Sequence, residues 1–106
     1  MSFLYELEAV IQERKKSSNE KSYTAALFKG GIDRILKKIG EESGEVIIAA
    51  KNHNKEELKN ETADLLYHLL VTLSHENIQL KEVEAILQVR HTPKNKKIDN
   101  LGKAQV

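Results

Sequence analysis

The fold is decided by residues 38–64, which read KIGEESGEVIIAAKNHNKEELKNETAD. Two pairs of carboxylates lie near the ends of this stretch, each pair one helical turn apart: Glu42 with Glu45, and Glu61 with Asp64. The polar residues NHNK lie between the two pairs. We interpret the stretch as two antiparallel helices joined by a short turn, an arrangement that brings both acidic pairs together.

Helical periodicity places these carboxylates beside apolar faces. At about 100° per residue, a stripe centred on Ile39 forms the apolar face of the first helix, and a stripe centred on Leu65 forms that of the second. The predicted stripes consist of Ile32, Ile35, Leu36, Ile39, Ser43, Val46, Ile47 and Ala50, and of Leu58, Thr62, Leu65, Leu66, Leu69 and Leu73. The four carboxylates border these stripes, whereas Glu41 points well away.

Four converging carboxylates repel one another, and the repulsion increases where the dielectric constant is low. Hard oxygen ligands in this number suit Mg²⁺ or Mn²⁺, and a metal ion held by them would bind phosphate oxygens. A single E-x-x-E or E-x-x-D pair is equally typical of a solvated helix surface. The metal site is favoured by the combination of two pairs on adjacent helices, both at the edge of the core.

The composition is typical of one all-α domain. The 106 residues include no cysteine and one proline, so no disulfide framework is expected. No apolar run is long enough to span a bilayer, and the N-terminus does not read as a secretory signal, so we expect a cytoplasmic protein. The net charge of +1 argues against nucleic-acid or membrane partners. The wide apolar faces favour a dimer.

Periodicity and capping residues predict a helical domain of residues 1–91, followed by a basic C-terminal tail of residues 92–106. Helices are expected at residues 3–16, 32–51, 55–76 and 81–90, with a short helical turn at 25–28. Asn77 is predicted as a left-handed C-cap. The glycines inside the second main helix, Gly40 and Gly44, suggest close approach by another backbone or by a ligand.

Basic side chains near the acidic flank are candidates for binding the phosphates of a substrate. Lys38 is the strongest of them by its angle on the helix. Arg34 and Lys51 are further basic candidates, and Asn52 lies on the same flank. The alternative for the lysines is simple solvation.

Two other features have both a functional and a structural interpretation. His68 lies four residues after Asp64, and it either holds a carboxylate, ligates metal, contacts substrate or is a satisfied structural residue. The loop residues Ser22, Thr24 and Lys29 either touch phosphate or belong to a capped turn.

The residues EESGE (41–45) and ETAD (61–64) resemble the signature of the MazG-like superfamily of all-α nucleotide pyrophosphohydrolases, which is E-E-x-x-E followed by E-x-x-D. Over residues 3–91 the chain is more closely similar to the phosphoribosyl-ATP pyrophosphatase family of histidine biosynthesis. The similarity is carried by SYTA (22–25), LF (27–28), DRI (33–35), KIGEE (38–42), AAKN (49–52), ETADLLYHLLV (61–71) and RH (90–91).

This resemblance implies a MazG-like helical bundle completed by oligomerisation, as a homodimer or higher homo-oligomer. It also implies Mg²⁺-dependent hydrolysis of phosphoribosyl-ATP to phosphoribosyl-AMP and pyrophosphate. The family's metal-binding carboxylates carry over onto Glu42, Glu45, Glu61 and Asp64, with Glu41 as an associated acid.

The expected catalytic residues are Glu41, Glu42 and Lys38. Lys38 is expected to stabilise the leaving pyrophosphate, and Glu41 or an unliganded oxygen of the cluster to accept the proton. Two other functions fit the same residues. One is a housecleaning pyrophosphohydrolase that acts on ordinary or damaged nucleoside triphosphates. The other is a non-catalytic helical adaptor whose acidic residues form a solvated face.

Overall fold

A computed structural model describes residues 2–17 and 21–93 of the chain. These residues form five helices and no strand, which confirms the all-α prediction. The helices are α1 (Phe3–Lys15), α2 (Tyr23–Gly30), α3 (Ile32–Lys51), α4 (Lys55–His75) and α5 (Leu80–His91). None of them is both long enough and apolar enough to cross a membrane. The predicted tail is residues 92–106, and of these residues 94–106 lie outside the described ranges.

Local side-chain caps explain where several helices begin. The hydroxyl of Ser2 accepts a hydrogen bond from the backbone N–H of Leu4. Asn54 caps α4 in the same way through the N–H of Glu57, at 3.1 Å. These bonds satisfy backbone donors that have no partner inside the helix, and each such cap contributes about 1 kcal/mol.

Each of the two long helices, α3 and α4, is followed two residues after its end by a residue in the left-handed conformation. Asn77 has φ 60°, as predicted, and the next N–H, that of Ile78, donates to the carbonyl of Leu73 at 2.8 Å. His53, for which the sequence offers no comparable signal, has φ 57° and reverses the chain between α3 and α4. The turn after His53 follows the same hydrogen-bonding pattern.

The helix α2 is longer than the single turn predicted at 25–28. It begins after Ser22, whose hydroxyl accepts from the N–H of Ala25 at 3.1 Å, and it ends at Gly30, with Gly31 as its C-cap. Gly31 has φ 90°, a backbone conformation that residues with a Cβ atom rarely adopt. The chain therefore turns sharply from α2 into α3.

The core is small and involves the first four helices. Five fully or almost fully buried apolar side chains form its centre: Ile11, Leu27, Ile35, Leu70 and Val71. Each contributes about 1.5–3 kcal/mol when removed from water. The most extensive contact joins α3 to α4, and α1 and α2 pack against this hairpin. None of the residues of α5 is buried.

The predicted apolar stripes of α3 and α4 are partly wrong. On α3 the buried face contains Ile35 and Ala49, whereas Ile47 of the predicted stripe is 68% exposed. On α4 the buried face contains His68 and Val71, whereas Leu66 of the predicted stripe is 42% exposed. Each helix carries more apolar surface than one neighbour covers. Periodicity shows which residues share a stripe, but α1 and α2 decide which stripe is buried.

The two interior glycines of α3 do not mark a close contact within the described chain. A Cβ built on Gly40 or on Gly44 would meet no other heavy atom within 4 Å. The expectation of close approach by another backbone is therefore wrong for contacts within residues 2–17 and 21–93. The glycines instead reduce the intrinsic stability of the helix.

We expect Gly40→Ala to stabilise the protein by about 0.5–1 kcal/mol, because alanine restricts the unfolded backbone and meets open space in the folded state. Urea unfolding followed by circular dichroism measures the change. The matched control is Gly31→Ala, which should destabilise by about 1–3 kcal/mol because of its positive φ. A loss of stability in Gly40→Ala would mean that another molecule packs against this position.

Candidate functional site

The hairpin of α3 and α4 brings the two predicted acidic pairs into electrostatic contact. Partial burial, followed by the charges of Glu45, Asp64 and Glu42, raises the pKa of the Glu61 carboxyl above its ordinary value. Because Coulomb interactions weaken with distance and solvent screening, this coupling requires the four groups to lie near one another. This coupling agrees with the sequence-based expectation, but that the two pairs share one metal site stays a prediction.

The chemistry of these groups fits a hard divalent cation. Four carboxylates supply the oxygen donors that Mg²⁺ and Mn²⁺ prefer, and a cation relieves the repulsion that disfavours the ionised form of Glu61. Among residues 2–17 and 21–93, no three His, Cys, Asp or Glu side chains are already arranged as a metal-binding group. The described conformation thus has the coupled charges without a preformed ligand cage.

One carboxylate of the cluster is held by a buried histidine. His68 is 4% exposed, and its Nδ1 lies 2.7 Å from Oε1 of Glu42 and 3.0 Å from the carbonyl oxygen of Asp64. The other ring nitrogen, Nε2, lies 3.0 Å from the hydroxyl of Tyr23. Both nitrogens are therefore engaged inside the protein. Among the roles that the sequence suggested for His68, these contacts match the one in which His68 holds a carboxylate. They leave neither ring nitrogen available to bind a substrate.

The basic candidates lie along α3. Lys38 is half-buried one helical turn before Glu42, and its ammonium forms no hydrogen bond or ion pair with any described residue. Arg34 lies one turn further back, where its aliphatic part covers Gly30. At the other end of α3, Lys51 and Asn52 are exposed beside the turn into α4. Among these basic candidates, Lys38 is thus the nearest in sequence to the acidic cluster.

The hydroxyls of the segment that forms α2 and its N-cap have structural partners. Ser22 is buried and caps α2, and the hydroxyl of Thr24 is hydrogen-bonded to that of Tyr67. Lys29 is exposed near the end of α2. For Ser22, the capped turn is the interpretation that the structure confirms. The residue of this segment that reaches the site is Tyr23, which sequence reasoning did not single out, because its partner lies 45 residues away.

Glu41 and Glu45 are exposed, whereas the side chain of Glu42 is 13% exposed. Exposure leaves Glu41 in contact with water, as a proton acceptor requires. Burial of Glu42 instead reduces its freedom and makes its orientation depend on the hydrogen bond from His68. Neighbouring carboxylates of one motif therefore occupy different environments, because successive helix positions differ by about 100°.

Proteins with similar sequences have closely related names. A profile of the family described as phosphoribosyl-ATP pyrophosphohydrolase matches residues 4–91. The phosphoribosyl-ATP pyrophosphatase of Leptospira biflexa is 54% identical over 92 residues, which are 87% of this chain and 100% of that protein. The protein of the same name in Streptococcus gordonii is 56% identical, over 79% of this chain and 84% of its own length.

A further relative carries more than this domain. The histidine biosynthesis bifunctional protein HisIE of Halalkalibacterium halodurans is 57% identical over 88 residues. These residues are 83% of this chain but 42% of that protein. Residues 4–91, which the family profile matches, contain every carboxylate of the site.

Proposed function

The chain belongs to the phosphoribosyl-ATP pyrophosphohydrolase family, and from this premise we propose how its site performs the reaction. It is a hydrolase of histidine biosynthesis that converts phosphoribosyl-ATP to phosphoribosyl-AMP and pyrophosphate. Hydrolysis takes place between the α and β phosphates of a substrate that carries several negative charges. A cytoplasmic location is part of the proposal, because the substrate is a derivative of ATP.

The proposal assigns the coupled carboxylates to Mg²⁺. The observation that supports it most directly is the bond from buried His68 to Glu42 at 2.7 Å; the raised pKa of Glu61, which follows from partial burial and from the charges of Glu45, Asp64 and Glu42, agrees with it. Such repulsion is unfavourable in a protein that uses the groups only as a solvated face. Glu42, Glu45, Glu61 and Asp64 would hold Mg²⁺, which when bound neutralises phosphate charge and makes a water molecule more acidic.

The remaining residues act directly on the substrate. Lys38 would contact the departing pyrophosphate, because its ammonium has no partner among the described residues and the residue lies one helical turn before Glu42. Glu41, which is exposed, would accept the proton of the attacking water. The positions of Arg34, Lys51 and Asn52 along α3 suit contacts with the outer parts of the substrate.

The proposal includes a homodimer. Large apolar side chains are exposed on the outer faces of the hairpin: Leu36, Ile47, Ile48, Leu66 and Leu69. A single chain leaves this surface in water, although contiguous apolar surface favours association. A second copy of the chain would cover this apolar surface with the same two faces of its own hairpin, as expected for a two-fold symmetric interface.

We expect the purified protein to release pyrophosphate, and not orthophosphate, from phosphoribosyl-ATP, and EDTA to abolish the release. The reason is that cleavage between the α and β phosphates needs charge neutralisation at the carboxylate site. Separate assays for pyrophosphate and orthophosphate, with dATP as the competing substrate, measure the outcome. Orthophosphate as the first product, or full activity in EDTA, would refute the proposed chemistry. Faster cleavage of dATP would favour the housecleaning function.

A further inference from the structure

Tyr23 belongs to α2, yet its hydroxyl is connected to the acidic site through one imidazole ring. The hydroxyl lies 3.0 Å from Nε2 of His68, and Nδ1 of the same ring lies 2.7 Å from Oε1 of Glu42. The aromatic ring of Tyr23 stands edge-on to the His68 ring at 5.9 Å between centroids. A continuous chain of contacts thus joins α2, α4 and α3.

The chemistry of the partners sets the direction of both hydrogen bonds. A carboxylate and a backbone carbonyl only accept, so Nδ1 of His68 must carry a hydrogen and donate it to Glu42 and to Asp64. In the neutral ring Nε2 is then an acceptor, and the phenol of Tyr23 donates to it. The phenol therefore favours the one tautomer in which Nδ1 donates to Glu42.

Glu42 needs such support because its neighbours in the cluster are also negatively charged. Glu42 is one of the groups whose charge acts on Glu61, so repulsion favours displacement of the Glu42 side chain. The His68 ring, buried between helices, occupies one of its two oxygens and leaves the other for a cation. A ring secured at only one nitrogen would rotate more freely than one held at both.

We propose that Tyr23 is a positioning residue for Glu42, acting through the His68 ring to fix the orientation in which Glu42 offers its second oxygen to the metal. This inference rests on the proposed binding of Mg²⁺ at Glu42. Tyr23 itself contacts neither metal nor reacting atoms. Its contribution is to hold a carboxylate that does.

The chain contains a matched control for this role. The hydroxyl of Tyr67 is hydrogen-bonded to that of Thr24 and also joins α2 to α4, but it does not bond to either ring nitrogen of His68. Tyr67→Phe therefore loosens the same pair of helices and leaves the hydrogen-bonded chain to Glu42 intact. Any effect specific to Tyr23→Phe is then separated from a general loss of packing.

The experiment measures Mg²⁺ binding by calorimetry without substrate, in wild type, Tyr23→Phe and Tyr67→Phe. Tyr23→Phe should weaken binding by about 3- to 10-fold, which corresponds to the net contribution of one hydrogen bond. The Mg²⁺ concentration for half-maximal pyrophosphate release should rise by the same factor. At saturating Mg²⁺, the KM for phosphoribosyl-ATP should equal that of wild type. Tyr67→Phe should bind Mg²⁺ like wild type.

A double-mutant cycle tests the route through the ring. His68→Asn keeps an N–H near the position of Nδ1 but has no atom that corresponds to Nε2, so Tyr23→Phe should have no further effect on Mg²⁺ binding in this background. An additive effect there would overturn the proposal. If His68→Asn does not fold, the comparison of the two tyrosine variants decides alone.

The possible outcomes distinguish failure of the positioning role from failure of the metal site. Weaker Mg²⁺ binding in Tyr23→Phe only supports the positioning role. If Tyr23→Phe binds Mg²⁺ like wild type, or if Tyr67→Phe weakens Mg²⁺ binding as much as Tyr23→Phe does, the positioning role is overturned and the metal site remains supported. A wild-type protein that neither binds Mg²⁺ nor loses activity in EDTA overturns the proposed metal site and the positioning role together.

Discussion

Glu61→Gln and Asp64→Asn should each reduce the rate of pyrophosphate release by orders of magnitude, while the metal-free protein stays as stable as wild type or becomes slightly more stable. The amide keeps the shape of the side chain but removes a charge from the cluster. The raised pKa of Glu61 shows that its ionised form is disfavoured in the folded protein, so removing that charge relieves repulsion. Loss of activity without loss of stability is expected of a functional carboxylate.

The measurement is a pair of melting curves for each protein, with and without Mg²⁺, beside the pyrophosphate assay. Mg²⁺ should raise the Tm of wild type by mass action and should raise that of the two variants less. Glu56→Gln is the matched control, because Glu56 is an exposed carboxylate of the same helix that pairs with Lys59. An active Asp64→Asn variant with wild-type stabilisation by Mg²⁺ would contradict the assigned site.

Ile47→Glu should convert the proposed dimer to a monomer. Ile47 is 68% exposed in the single chain, so a glutamate there is solvated and the fold should persist. In a dimer that covers this face the same glutamate would be buried without a partner, which costs about 3 kcal/mol or more. A two-fold symmetric interface contains the substituted glutamate twice, once from each copy. The dissociation constant should therefore rise by at least about 100-fold.

Light scattering at micromolar concentration measures this change against the chain mass of 12.0 kDa. Wild type should have twice that mass and Ile47→Glu should have the mass of one chain, with helical circular dichroism retained. Phe3→Glu is the control, because Phe3 is 66% exposed but belongs to α1 and not to the hairpin of α3 and α4. A monomeric wild type, or dissociation by Phe3→Glu alone, would show that the hairpin faces are not the interface.

The sequence by itself determined the local features of the fold. Periodicity and caps predicted α3 with its observed bounds, the start of α4 after Asn54 and the left-handed conformation of Asn77. These features depend on residues within one or two helical turns, which is the range over which capping and helical spacing act. The two carboxylate pairs were predictable for the same reason, since the spacing within each pair follows from one helix.

Only the tertiary structure decided which apolar faces are buried and what His68 contacts. Ile47 and Leu66 belong to the predicted apolar stripes, but they are exposed because α1 and α2 cover other faces of the hairpin. The bonds from His68 to Glu42 and from Tyr23 to His68 span 26 and 45 residues. Helical spacing fixes directions along one helix, whereas these contacts depend on how three helices rotate and pack against one another. That packing is set by the whole core.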